Sequence, residues 1–391
     1  MVNLIEIFIT FLRLGLTSFG GPTAHLSYFH NEFVLKKKWL DEPSYADLVG
    51  LCQFLPGPAS SQVGIAIGLA RGGIPGSIAA WLGFTLPSAI LLILFGLGVS
   101  SLSGAISSPW LHGLKIAAVS VVAQAIWVMG QKLCPDKERI MIALLAFSAV
   151  YFIPTSLIQI LTILFGAILG WIILKPEPIA HSSTSLTNTS RMTGGISLLI
   201  FASLLIALPL LSTLTHNHGV KLFDIFFRVG SLVFGGGHVV LPLLQAEVVP
   251  QGWVSKEVFM AGYGATQAVP GPLFAFSAYL GAVSKIAPTG WLGGTLCLIG
   301  AFLPSFFLVI GALPFWNQMR RFPKMKNAMQ GINAAVVGIL FGAFLNPVWS
   351  SAIFNLKDIA LAIFGFILLF FWRVPTWAIV LISGAIGGIL L

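Results

Sequence analysis

Two segments of the chain carry the same order of uncommon residues: FLRLGLTSFGGP at residues 11–22 and FFRVGSLVFGGG at residues 226–237. Arg13 falls on Arg228, Gly15 on Gly230, and Phe19-Gly20-Gly21 on Phe234-Gly235-Gly236. Glu32 falls on Glu247 in the same register, and one residue later Trp39 falls on Trp253, Gln53 on Gln267 and Pro56-Gly57-Pro58 on Pro270-Gly271-Pro272. Further on, Gly76, Pro87 and Ser88 fall on Gly293, Pro304 and Ser305. Shared hydrophobicity would mean little, but a shared order of Arg, Glu, Gly and Pro means that one unit has been duplicated. The fold must therefore be built from two related halves.

The solvent of those halves follows from charge. Only 8% of the 391 residues are charged and 57% are hydrophobic, against about 25% charged in soluble domains. So few charges cannot cover a water-facing surface, so the bilayer must bathe most of the chain. This excludes a soluble enzyme. The net charge of +9 would suggest nucleic acid in a soluble protein, but here the basic residues gather in short loops at residues 36–38, 132–139 and 320–326. Such loops lie on the cytoplasmic side, and no nucleic-acid partner is implied. Residues 1–20 hold Glu6 and Arg13 and lack a small-residue cleavage site, so they read as a membrane segment rather than a leader. Cys52, Cys134 and Cys297 form no CxxC pair, so neither a metal site nor a disulfide framework is indicated. No DxxD or HxxxH arrangement occurs, and no cofactor is called for.

Four regions are expected: a first repeat at 1–174, a polar Ser/Thr-rich linker at 175–194, an extra apolar crossing at 195–215 with no counterpart in the first repeat, and a second repeat at 216–391. One extra crossing would turn the second repeat upside down. The loop charges test this. Basic residues 36–38 align with uncharged 249–251, neutral 103–109 aligns with basic 320–326, and basic 132–139 aligns with 349–357, which holds one Lys. Corresponding loops then lie on opposite faces, which is the inverted-repeat architecture of secondary transporters. The expected fold is an all-α polytopic membrane protein of two inverted-topology repeats, with helices broken or re-entrant at Gly-Gly and Pro-Gly-Pro. The segments flanking Pro-Gly-Pro (residues 44–55 and 59–71; 257–269 and 273–285) fall short of the about 20 residues a crossing needs. Paired short segments of this kind point to a transport site.

The candidate site residues are those at the duplicated breaks. Helix starts after Gly20-Gly21 and Gly235-Gly236 expose N–H groups suited to an anion, or else serve close helix packing. Arg13 and Arg228, in apolar segments, either face a site or snorkel to the interface; the planar guanidinium fork suits an oxyanion. Glu32 and Glu247 read equally as proton carriers or as ion-pair partners of the duplicated Arg. His238 follows the Gly run, and His25 lies near the other; each could donate to an anion. Gln53, Gly57, Ser60 and Ser61 in the first repeat and Gln267 and Gly271 in the second surround the Pro-Gly-Pro turns. Phe274-Ala275 replaces Ser60-Ser61, so the first copy is the more polar.

At these residues, Phe-Gly-Gly-Pro (19–22), Gln-Phe-Leu-Pro-Gly-Pro (53–58), Phe-Gly-Gly-Gly-His (234–238) and Gln-Ala-Val-Pro-Gly-Pro (267–272), the sequence resembles the chromate ion transporter family in its long, two-domain form. The resemblance implies export of chromate across the bacterial inner membrane, driven by the proton motive force and conferring chromate resistance, by two antiparallel domains. Sulfate, a similar tetrahedral dianion, is the expected competitor. The alternative is transport of sulfate or another oxyanion, including uptake. Protons are candidate co-substrates, and a homodimer is one option for the assembly.

Overall fold

The computed structural model describes residues 3–101, 109–175, 189–234, 236–319 and 322–390. Most of the expected linker and of the neutral loop at 103–109 lies outside these residues. Among the described residues the chain is all-α, with no strand. Among those residues six helices are long and apolar enough to cross a membrane, and the chain is a polytopic membrane protein.

The first half runs α1 (Leu4–Thr17), α2 (Gly21–Phe29, continued as a π-helix over His30–Lys36), α3 (Glu42–Phe54), α4 (Ala59–Ser101), α5 (Pro109–Leu133), α6 (Lys137–Phe152) and α7 (Ser156–Ile173). Then comes α8 (Arg191–Thr215), which covers the expected extra crossing and starts earlier because the Ser190 side chain caps it at Thr193. The second half runs α9 (His218–Leu232), α10 (Val240–Val248), α11 (Lys256–Thr266), α12 (Phe276–Val283), α13 (Gly290–Ala312), the short α14 (Trp316–Met319), α15 (Pro323–Ala343), the short α16 (Ser350–Ala352), α17 (Leu356–Phe370) and α18 (Thr376–Leu390).

Local chemistry sets these boundaries. Asn3, Asp41, Asp136, Thr155, Ser255 and Asn355 each accept a backbone N–H of the helix they precede, which satisfies donors left over at a helix start. α4 is two arms rather than one rod. Gly72 and Gly73 leave helical geometry, Gly73 at φ +64°. Gly68 then lies so close to the Gly76 carbonyl and to Ala80 that a Cβ there would collide with both. α12 and α13 meet in the same way, through Gly281 and the Gly293 carbonyl.

The halves do not pack as separate bundles. α5 of the first half packs on α17 and α18 of the second, while α15 of the second packs on α6 and α7 of the first. The contacts correspond: a Cβ on Gly113 of α5 would strike the Ser383 carbonyl, and one on Gly331 of α15 would strike the Gly166 carbonyl. The cores are exchanged as well. Leu308, Val309 and Ile310 of α13 are buried in the core of the first half, and Leu92 and Ile93 of α4 in that of the second. Trp81 packs on Phe302 and Phe306 where α4 meets α13. Gly113→Leu or Gly331→Leu is expected to force an exchanged helix pair apart, at about 1–3 kcal/mol for overpacking. Thermal unfolding of the purified protein checks this: the midpoint should fall in both, and an unchanged midpoint in both would contradict the exchanged packing.

Candidate functional site

α1 stops at Thr17, with Ser18 extended, and Gly20 and Gly21 at φ +98° and +77° turn the chain into α2. α3 stops at Phe54, and Gly57 at φ +124° turns it into α4. In the second half the chain leaves helix after Leu232 and again after Thr266, with Gly236 at φ +149° and Gly271 at φ +98°. Such φ values suit glycine alone at little cost. Each interruption leaves backbone groups without a helical partner.

Those groups find partners in the opposite half. The Gly57 N–H donates to the Val233 carbonyl at 2.7 Å, and the Gly271 N–H donates to the Ser18 carbonyl at 2.9 Å. Ser18 and Val233 hold equivalent places, as do Gly57 and Gly271, so the two bonds are one contact made twice. Each turn also abuts the long helix of the opposite half: Ser305 Oγ lies 2.9 Å from where a Gly57 Cβ would be, and Ser88 Oγ 3.0 Å from the Gly271 equivalent. Ser88 and Ser305 are themselves equivalent. Within the first half, His25 Nδ1 and Ser60 Oγ are 3.3 Å apart and tie α2 to the start of α4. Within the second, Gly237 packs on the Leu273 side chain. The four interruptions thus form a closed ring: Ser18 to Gly21, Pro56-Gly57-Pro58, Val233 with Gly236-Gly237, Pro270-Gly271-Pro272, and back.

Ser60 and Ser61 lie inside the ring, 2% and 3% exposed. Gln267 is buried with an unpaired Nε2, whereas its counterpart Gln53 is exposed. His238 is bonded through Nδ1 to the Tyr263 hydroxyl at 2.8 Å, which fixes the turn before α10 to α11. Gly235 lies outside the described residues.

Both duplicated arginines sit on the duplicated carboxylates. Arg13 Nη2 is 3.4 Å from Glu32 Oε2, and Arg228 Nη1 is 3.5 Å from Glu247 Oε1. Between the two sequence readings of Glu32 and Glu247, the geometry is that of ion pairs. The surroundings differ. Arg228 also binds both carboxylate oxygens of Asp224 at 3.2 Å and its side chain is 27% exposed, against 65% for Arg13. An exposed pair of this kind contributes about 0–1 kcal/mol. Lys36 also reaches Glu32, at 3.6 Å. Sequence reasoning did not single out Asp224, Ser18 or Thr85, and it named Ser88 and Ser305 only as alignment markers. The signal that could have found the serines was their equivalence beside a proline in each long helix. Among the described residues, no group of three or more His, Cys, Asp or Glu side chains could hold a metal ion.

Gly57→Ala and Gly271→Ala should each cost about 1–2 kcal/mol for an L residue at positive φ, and more through collision with Ser305 or Ser88. Unfolding midpoints check this. If either alanine variant were as stable as the parent, the cross-half contact would not be under the constraint described.

A family profile described as chromate transporter matches residues 5–171 and 220–388. An uncharacterised transporter of Methanocaldococcus jannaschii is 28% identical over 86% of this chain and 82% of its own. A probable chromate transport protein of Synechococcus elongatus is 26% identical over 85% of this chain and 81% of its own. A chromate transport protein of Cupriavidus metallidurans is 24% identical over 88% of this chain and 82% of its own. No solved structure matches.

Proposed function

The chain belongs to the chromate transporter family, and from that premise we propose that it exports chromate from the cytoplasm through the ring of helix interruptions. The observation that carries the reading is the reciprocal pair of bonds, Gly57 to Val233 and Gly271 to Ser18. Non-helical backbone at membrane depth is tolerated only where protein or a water-filled cavity surrounds it, and discontinuous helices that meet between repeats form the substrate sites of secondary transporters. The contact repeats in both directions, as a two-fold axis between the halves would produce. Loops that are basic in one copy and near-neutral in the other, and the single helix α8 between the halves, support an axis in the membrane plane, hence inverted repeats, with residues 1–174 and 216–391 as the two units and 175–194 as their linker.

The substrate-binding set is Gly20, Gly21, Gln53, Gly57, Ser60 and Ser61 from the first half and Gly235, Gly236, His238, Gln267 and Gly271 from the second. Arg13 and Arg228 supply positive potential near its approaches. Moving a dianion out of a cell with a negative interior yields about 4.6 kcal/mol per 100 mV, at about 2.3 kcal/mol per charge. That supports a gradient of roughly three decades, at about 1.4 kcal/mol per decade. The electrical part of the proton motive force is therefore a sufficient drive.

The Arg–Glu pairs favour a second reading. A proton on Glu32 or Glu247 would release its Arg for an anion, so proton and anion would bind together. Synergistic binding is symport, and a proton gradient would then pull oxyanion inwards. Sulfate uptake is the function that reading fits, with Glu32 and Glu247 as coupling residues.

Everted vesicles separate the two. Chromate should enter them with competition by sulfate; collapsing the potential should abolish accumulation, and collapsing only the pH gradient should leave most of it. Everted vesicles that fail to accumulate chromate, while right-side-out vesicles take oxyanion up with an inward proton gradient, contradict the export reading in favour of symport, and vesicles of either orientation no better than those lacking the protein contradict both. Arg13→Ala is expected to remove chromate resistance while the protein still inserts; fully resistant cells would remove Arg13 from the site.

A further inference from the structure

The ring is symmetric in its backbone and asymmetric in its side chains. In the first half Ser18, His25, Ser60, Ser61 and Thr85 are all buried, at 0–3% exposure. Their counterparts by the register of the duplication are Val233, Val240, Phe274, Ala275 and Phe302, equally buried. Each of these five polar groups has an apolar partner, although Gln267 and Ser305 keep unpaired polar atoms in the second half. Phe274 and Phe302 fill the second-half position with rings 5.8 Å apart.

The polar side has hydrogen-bonding capacity to spare. Ser18 Oγ, Ser61 Oγ, Thr85 Oγ1 and His25 Nε2 are buried and make no hydrogen bond. An unpaired buried polar atom costs about 1–3 kcal/mol, and four on the elements that meet at the first-half side of the ring point to a ligand that completes them. His25 is the centre of the cluster. His25 meets Ser60 through Nδ1 and lies edge-on to Phe84 at 5.2 Å, with the Ser18 carbonyl beside its ring. Phe84 and Ser88 flank Gly271, and Ser88 bonds back to the Thr85 carbonyl at 2.9 Å. When Ser60 donates to Nδ1, the imidazole proton sits on Nε2 and becomes a donor. Ser60 and Ser61 also stand in the first turn of α4, where backbone N–H groups favour an anion.

None of these groups carries a fixed charge. On the oxyanion-carrier reading above, we propose that one tetrahedral dianion binds at the first-half side of the ring, held by the neutral donors of Ser18, His25, Ser61 and Thr85. On the second-half side Phe274 and Phe302 stand where Ser60 and Thr85 stand on the first, and the unpaired Gln267 Nε2 and Ser305 Oγ are too few to hold a second dianion. Neutral donors suit a carrier, because a desolvated full charge would hold the dianion too tightly to release it. Arg13, largely exposed and paired with Glu32, attracts the anion without gripping it.

Titration calorimetry of the purified full-length protein with sulfate, and separately with chromate, tests this. The parent should bind one anion per chain. Thr85→Val and Ser61→Ala should each weaken binding by about 10-fold or more, the usual scale for a hydrogen bond to a charged group, with a matching rise in transport KM and little change in unfolding midpoint. Each variant removes one hydroxyl and is read separately, so misfolding of one leaves the other decisive. Parent-like affinity in a folded variant, or two anions per chain, overturns the single neutral cradle while the transport reading stands. A parent that binds neither anion sinks the transport reading itself.

Discussion

A helix that stops inside hydrocarbon must satisfy its loose N–H and C=O groups within the protein. This chain stops helices at two glycine-rich breaks and two Pro-Gly-Pro turns, and it satisfies them across the boundary between its halves. Gly57 gives its N–H to Val233, and Gly271 gives its N–H to Ser18. The remaining architecture accords with that exchange. α5 lies on α17 and α18, and α15 lies on α6 and α7. Residues of each long helix fill the core of the opposite half. Each half leaves surface and backbone that only the other completes.

The exchange also organises charge. Arg13 and Arg228 are engaged by Glu32 and Glu247, and the polar groups buried at the ring, such as Ser60, Ser61 and Gln267, are neutral. A centre without fixed charge imposes little electrostatic penalty on an empty carrier returning across the membrane. The cost of dehydrating a dianion then falls on hydroxyls, an imidazole N–H and a helix start, groups whose dipoles are held in place by the fold. Discrimination between chromate and sulfate would rest on the spacing of those donors, since the two ions share charge and shape.

Much of this was legible in the sequence. The duplicated Phe-Gly-Gly and Pro-Gly-Pro stretches marked where helices end, because positive φ and missing N–H groups leave few alternatives. The apolar runs gave the helices to within a few residues, and residues 195–215 were visible as a segment without a counterpart. The partners were not legible. Periodicity reports which face of a helix is apolar, not which helix covers it, so the pairing of α5 with α18 and of Gly271 with Ser18 could not be read. Arg13 and Glu32 were visible as a duplicated pair, but their joint use as an ion pair is a matter of distance. Thr85 drew no notice from the sequence, and only packing, which sets Phe84 beside Gly271, brings it into view.

The central claim is that oxyanion passes where the Pro-Gly-Pro turn of one half meets the first helix of the other. After replacement of the three native cysteines, Ser18→Cys paired with Pro272→Cys places two thiols at that junction. The account predicts that mild oxidation joins them and stops chromate flux in vesicles, and that reduction restores it. A fully cross-linked protein that carries chromate at the reduced rate would contradict it.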